Sequence, residues 1–124
     1  MTHYSSANQL LRPGEVGLVI FTEGRDFTVN ADGSGSTGDW AVDPLRRVDW
    51  IFIYYRRDPA DASHNELFMA RSGDLEGPRP PVAPGGRERY LINLRDIKFV
   101  GQTTVNWHKF ASAGALPIRY IPTD

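Results

Sequence analysis

The apolar positions of this chain come in short runs that either alternate with polar residues or are rich in Val, Ile, Phe and Tyr. Between them stand the turn formers, 12 Gly and 9 Pro. That rhythm predicts strands rather than helices. Residues 16–22 read as a first strand after the Pro13-Gly14 turn, and residues 27–30 as a short second one. Residues 48–57 give the strongest strand. Trp50, Phe52 and Tyr54 fall on one face and Ile51, Ile53 and Tyr55 on the other, so both faces are apolar and a central position is expected. Further strands are predicted over residues 66–71, 89–94 and 97–100, with Arg95-Asp96 interrupting the last two, and residues 117–121 add a final one. The Gly/Ser-rich segment 30–39 reads as a loop, as does the turn-rich 58–65. The Pro/Gly stretch 73–86 is expected to hold no regular structure.

Two places carry a helical pattern. Residues 6–12 offer about two turns before Pro13. Residues 103–114 have Thr103 as N-cap, apolar Val105, Trp107, Phe110 and Ala111, and Gly114 as terminator. No internal repeat or interdomain linker interrupts the 124 residues, a length that one domain fills comfortably. The expected fold is mainly β (α+β): a single compact domain over residues 1–124, a mostly antiparallel, partly closed β-barrel with one or two short rim helices.

Composition adds exclusions. Hydrophobic residues are 40% and charged residues 23% of the chain, which argues against wholesale disorder. There is no cysteine, hence no disulfide, thiolate metal site or thiol nucleophile. No apolar run approaches the roughly 18 residues of a membrane span, and no signal peptide opens the chain, so a cytoplasmic protein without membrane contact is expected. The net charge of −1 is unevenly spread. Residues 15–43 hold six acids and only Arg25 as a base, whereas residues 87–119 hold six bases and two acids. Twelve of the fourteen bases are Arg, the side chain suited to bidentate phosphate contacts and ring stacking, although a coding bias toward Arg gives the same count.

Catalytic patterns are thin. The three histidines, His3, His64 and His108, stand far apart and lack zinc-ligand spacing, so no metal or cofactor is expected. Asn30, Asp32 and Ser34 imitate the front of a calcium loop, but Ala41 stands where a bidentate Glu is required, and a hairpin tip is the better reading. Asp96-Ile97-Lys98 matches half of a metal-dependent nuclease motif. On an unbroken strand both charged side chains would share a face, with Asp74 or Glu88 as the second acid, but a cross-strand salt bridge or a solvated edge is the better reading. No Gly-x-Ser-x-Gly elbow or phosphate loop is present.

Aromatic residues interleaved with arginine remain. Trp40, Trp50, Tyr54, Tyr55, Tyr90, Trp107 and Phe110 are bracketed by Arg46, Arg47, Arg56, Arg57, Arg87 and Arg89. Nucleic-acid readers combine such parts, with rings stacking on bases and guanidinium groups meeting phosphate. Core packing and solvated strand ends account for many of them individually. The order "GDWAVDP", "VDWIFIYYRR", "NELFMARSGDLEG", "RERYLINL", then a helix with "NWHKF", is similar to the PUA-like superfamily, which includes the EVE, ASCH and YTH domains. That resemblance spans roughly residues 38–111; the Pro-rich segment 77–86 and the acidic first third depart from it. It implies a small, partly closed β-barrel that binds RNA or DNA, often holding a modified base in an aromatic-lined pocket. It further implies Trp40 and Trp107 as pocket walls, Tyr55 as a contributor and Arg56, Arg57 and Arg89 as phosphate contacts. Asp43 or Asn106 would then bond a base edge. The leading expectation is a non-enzymatic nucleic-acid or modified-nucleotide binding module. Its rivals are a protein-interaction domain using exposed aromatics and the Pro-rich loop, and a small metal-dependent nuclease.

Overall fold

The computed structural model describes residues 3–4, 10–23, 27–56, 65–80, 85–103 and 118–121. They form a mainly β structure of eight strands. These are β1 (His3–Tyr4), β2 (Gly17–Glu23), β3 (Phe27–Val29), β4 (Gly35–Trp40), β5 (Trp50–Arg56), β6 (Asn65–Arg79), β7 (Arg89–Thr103) and β8 (Ile118–Ile121). All lie in one sheet, ordered β3-β4-β7-β6-β5-β2-β8, with β1 pairing alongside β7. The sheet is mostly antiparallel; β2 with β5 and β1 with β7 are parallel. A parallel pair needs a long crossover. Between β2 and β5 the β3–β4 hairpin supplies it, landing on β7 at the far side of the sheet.

That landing curls the sheet. Phe27 on the edge strand β3 meets Tyr55 of β5 at 5.4 Å and Phe68 of β6 at 5.1 Å between ring centroids, both edge to face. Strands remote in the pairing order therefore touch across an interior. The sheet is bent into an open trough, and its two edge strands do not pair. Inside lie Leu18, Ile20, Phe27, Val42, Ile51, Ile53, Ala70, Ile92 and Leu94. On the outer face Val19, Phe21, Phe52, Tyr54, Leu67 and Ile121 form a second cluster, with Phe21 stacked on Tyr54 at 4.6 Å. The alternation read in β5 holds: even positions 50–54 serve the outer cluster and odd positions 51–55 the inner one. Residues 51–54 are all buried, and each such apolar side chain contributes about 1.5–3 kcal/mol.

Three expectations are corrected. The Gly/Ser segment is not loop throughout, because residues 35–40 form β4. Its glycines admit neighbouring backbone: a Cβ on Gly38 would stand 2.8 Å from Leu91 Cα, and one on Gly35 would collide with Thr28 O. The Pro/Gly stretch begins as strand, since β6 runs 15 residues to Arg79. The register shifts between Ser72 and Leu75 and between Glu76 and Arg79 are bulges that absorb Gly73 and Gly77-Pro78. Beyond Ala70 the β6 edge is no longer paired to β5, so the missing N–H of Pro78 breaks no ladder on that side. Finally, Arg95-Asp96 does not end a strand. β7 continues through it by a bulge in which Asp96 takes φ 52°, a left-handed conformation that Asp tolerates better than most residues.

No helix long and apolar enough to cross a membrane occurs among the described residues. Residues 5–9 and 104–117, which carry most of both predicted helices, lie outside the described residues; Leu10 to Arg12 and Thr103 are described, and Thr103 is the last residue of β7.

Gly38→Ala is expected to destabilise the protein by about 1–3 kcal/mol through the clash with Leu91. Asp96→Gly, relieving positive φ, should be neutral or stabilising by up to about 1 kcal/mol. Urea denaturation of the two variants separates them, and equal midpoints would contradict the packing described.

Candidate functional site

The segment 42–49 caps one end of the trough. Asp43 organises it: Asp43 Oδ1 accepts from Leu45 N at 3.0 Å, and Asp43 O accepts from Arg46 N at 3.2 Å. Pro44 occupies the position where its fixed φ favours such a turn. From β8, Tyr120 holds the turn twice. Its hydroxyl accepts from Asp43 N at 3.0 Å, and its ring lies 4.0 Å from the Arg46 guanidinium carbon, a cation–π contact. The base of the segment is tied to β2 through Asp49, whose Oδ2 accepts from the part-buried Val16 N at 2.7 Å. Arg47 bridges the same carboxylate at 3.3 Å and donates to Gly14 O at 2.9 Å.

Beneath this turn the trough encloses a cavity of about 190 Å³. Leu18, Val42, Val48, Ile51, Leu75 and Ile92 make its walls, and Asp43, Arg46, Ser72 and Tyr120 bring polar groups to it. An apolar hollow with a few convergent polar groups is the usual form of a small-molecule site. The volume falls below the roughly 300–1,000 Å³ of clefts that take drug-sized ligands, leaving room for a single small ring system. The aliphatic walls would cover ring faces, Asp43 would accept from an amino or ring N–H, Tyr120 has a hydroxyl proton to donate, and Arg46 stands where an attached anion would emerge.

Of the residues singled out from the sequence, Asp43 lines this cavity. Trp40 packs on the inner core from the side, and its Nε1 donates to Thr37 Oγ1 at 2.9 Å. Tyr55 belongs to the aromatic cluster of Phe27 and Phe68 at the opposite end of the trough. Arg56 is 1% exposed and presents no guanidinium surface to solvent. Arg89 is half-buried and donates Nε to Pro80 O at 3.1 Å. Arg57, Asn106 and Trp107 lie outside the described residues, as do His64 and His108. Sequence reading missed Arg46, Tyr120 and the aliphatic walls as site residues. Arg46 was signalled only as one of the arginines that bracket the aromatic strands, and Tyr120 by no local pattern at all.

The other chemical candidates resolve into local structure. Asp32 Oδ1 accepts from Ser34 Oγ at 2.6 Å and from Ser34 N at 3.0 Å, so the calcium-like segment is a hairpin tip closed by its own hydrogen bonds. The Ser34 hydroxyl, followed by the Ser34 amide, holds the Asp32 carboxyl below its ordinary pKa. The bulge at Asp96 breaks the alternation on which the nuclease reading rests: Ile92 and Leu94 face inward before it and Ile97 after it. No cluster of three metal-ligating side chains occurs among the described residues.

The chain matches no protein-family model, no curated protein and no solved structure.

Removing Asp49 strands the part-buried Val16 amide, so Asp49→Ala is expected to cost about 1–3 kcal/mol. Arg47→Ala removes a surface ion pair and an exposed hydrogen bond to Gly14 O from a side chain 69% exposed and should cost at most about 1 kcal/mol. Chemical denaturation of both variants checks the order, which a larger loss for Arg47→Ala would reverse.

Proposed function

We propose that the protein is a non-enzymatic binding module that takes a nucleobase, free or within RNA or DNA and including modified bases, into the cavity under the 42–49 turn. The observation that carries this reading is the cavity itself: aliphatic walls sized for one ring, with Asp43, Tyr120 and Arg46 converging at its mouth. A carboxylate beside two apolar walls selects ligands with N–H edges, and an adjacent guanidinium suits the phosphate that a nucleotide carries. The likeness in element order to PUA-like domains supports the same class of ligand, although the cavity walls here are aliphatic rather than aromatic. With a net charge of −1, affinity has to come from a local site and not from a basic excess over the whole domain.

Calorimetry against a panel of plain and modified nucleosides and their monophosphates, at low salt, tests the reading. Val48→Phe, which fills the cavity, is expected to weaken binding by at least about tenfold, some 1.4 kcal/mol. Arg46→Ala should weaken the monophosphates and spare the nucleosides. Absence of binding across the whole panel would refute the proposal.

One observation favours a second reading as a protein-docking module. Leu45, at the tip of the same turn, is 93% exposed, an unusual setting for a large aliphatic side chain. If the tip docks on a protein, Leu45→Ser will abolish a self-association or a pull-down seen with the native chain in light scattering or lysate capture. It will leave nucleoside binding intact.

A further inference from the structure

Outside the trough, on the reverse of the cavity wall, the β6–β7 ladder places two arginines side by side. Arg71 and Arg95 are directly opposed partners in the register. The next pair, Ser72 with Leu94, points inward, since Leu94 belongs to the inner core and Ser72 lines the cavity. By strand alternation Arg71 and Arg95 therefore both stand on the outer face. Side chains opposed in this way have Cβ atoms about 4.5–5.5 Å apart, where like charges repel.

Neither arginine has a carboxylate partner among the described residues. Arg71 donates Nη1 to Asp49 O at 3.1 Å, and its guanidinium carbon lies 3.6 Å from the centre of the Trp50 ring. The indole is itself fixed by Nε1 donating to Glu15 Oε2 at 3.1 Å. Arg95 donates Nη2 to Ser72 O at 3.3 Å. Further along β7, the exposed Lys98 is paired in register with Met69 of the outer cluster and so adds a third cation to this face. Ser72, Gly73, Asp74, Asn93 and Arg95 border a shallow groove of about 600 Å³ beside them. Its floor is held by Asn93 Nδ2, which donates to Asp74 O at 3.0 Å and to Glu76 Oε2 at 3.1 Å.

We infer that Arg71, Arg95 and Lys98 form a phosphate-binding track on the outer face, and that its ligand is the backbone of a single-stranded nucleic acid whose base enters the cavity. The choice of a nucleic acid rests on the function proposed above; the anion site rests on the arginine pair alone. One phosphate between these two cross-strand arginines would offset their like charge and take up donors of both, a geometry Arg serves better than Lys. The groove and the cavity share Ser72 and Gly73 as a common wall. The last β5–β6 pair is Ile51 with Ala70, so the β6 edge at residues 71–73 is open where a strand would pass from inside to outside. Trp50, stacked behind Arg71, keeps that guanidinium presented and offers a ring edge to a neighbouring base.

The test uses fluorescence anisotropy with labelled oligouridylate and oligothymidylate across a salt series, alongside calorimetry with nucleoside monophosphates. Wild-type protein is expected to bind the oligonucleotides with a salt-dependent affinity. Arg95→Gln/Lys98→Gln, two exposed positions whose replacement leaves the core intact, should weaken oligonucleotide binding by about tenfold or more. It should also flatten the slope of log affinity against log salt by about 0.7 for each phosphate that is no longer neutralised. Monophosphate binding in the cavity should stay unchanged. Arg71→Gln is expected to act in the same direction and, in addition, to alter the Trp50 emission. The track is overturned if the double variant keeps wild-type affinity and salt slope, if the wild type binds no oligonucleotide, or if polyglutamate competes as well as the oligonucleotide does. Should oligonucleotide binding depend on these residues while no monophosphate binds, the track stands and the cavity reading fails.

Discussion

The bent β6–β7 ladder is the constraint on which the rest of this structure depends. Both strands run 15 residues, and their pairing slips four times. The shifts at Leu67/Phe68 and Met69/Arg71 insert an extra residue on β7, and those at Ser72/Leu75 and Glu76/Arg79 insert one on β6. Every slip re-aims the side chains that follow, because the strand period is two. β7 thereby changes inward-facing parity between Leu94 and Ile97, and the two strands bend enough for the β3–β4 hairpin on β7 to reach across to β5 and β6. Without that bend Phe27 would have no Tyr55 or Phe68 to meet, and the inner face would be an open apolar surface instead of a lined trough.

The same slips place the chemistry. Arg71 with Arg95 and Ser72 with Leu94 are the two regular pairs between the β7 bulge at Asp96 and the β6 bulge beside Gly73. Without the β7 bulge at Asp96, unbroken alternation would give Arg95 the facing of Ile97 and turn it toward the inner core. The cavity and the outer groove are thus fixed as a pair, on opposite sides of one short stretch of ladder, by backbone geometry and not by the composition of either site.

This explains what the sequence disclosed and what it did not. β2, β5 and β8 were legible because their own apolar residues declare a period of two or a buried run, and β5 even declared its two faces. β4 was not, because its signal is carried by glycines whose role is to admit Thr28 and Leu91, neighbours that no local pattern records. The distal half of β6 was hidden for the opposite reason, since Gly and Pro ordinarily end strands and here are absorbed by bulges. Asp43 entered as a site residue only through the PUA-like resemblance, as a group to bond a base edge. Tyr120 did not, as it reaches the Asp43 turn from the other end of the chain. The paired arginines could not be read at all: which residue opposes Arg71 depends on the sum of bulges between it and the ends of the ladder.

The opposed arginines also bear on why the site is built from Arg and Trp together. Like charges on directly opposed strand positions disfavour each other, and a lysine at residue 71 could swing its flexible stem into water. Arg71 cannot do so as readily. Its plane is held against Trp50, the indole is held by Glu15, and Nη1 is directed at Asp49 O. The acids nearest to it are already engaged, Glu15 by the indole and by Arg12 N, and Asp49 by Val16 N and Arg47. The local acids therefore serve to orient the cation more than to neutralise it. A positive charge fixed in direction and without a carboxylate partner among the described residues is what the proposed anion site requires, since the ordering cost of receiving an anion there would already be met by the fold.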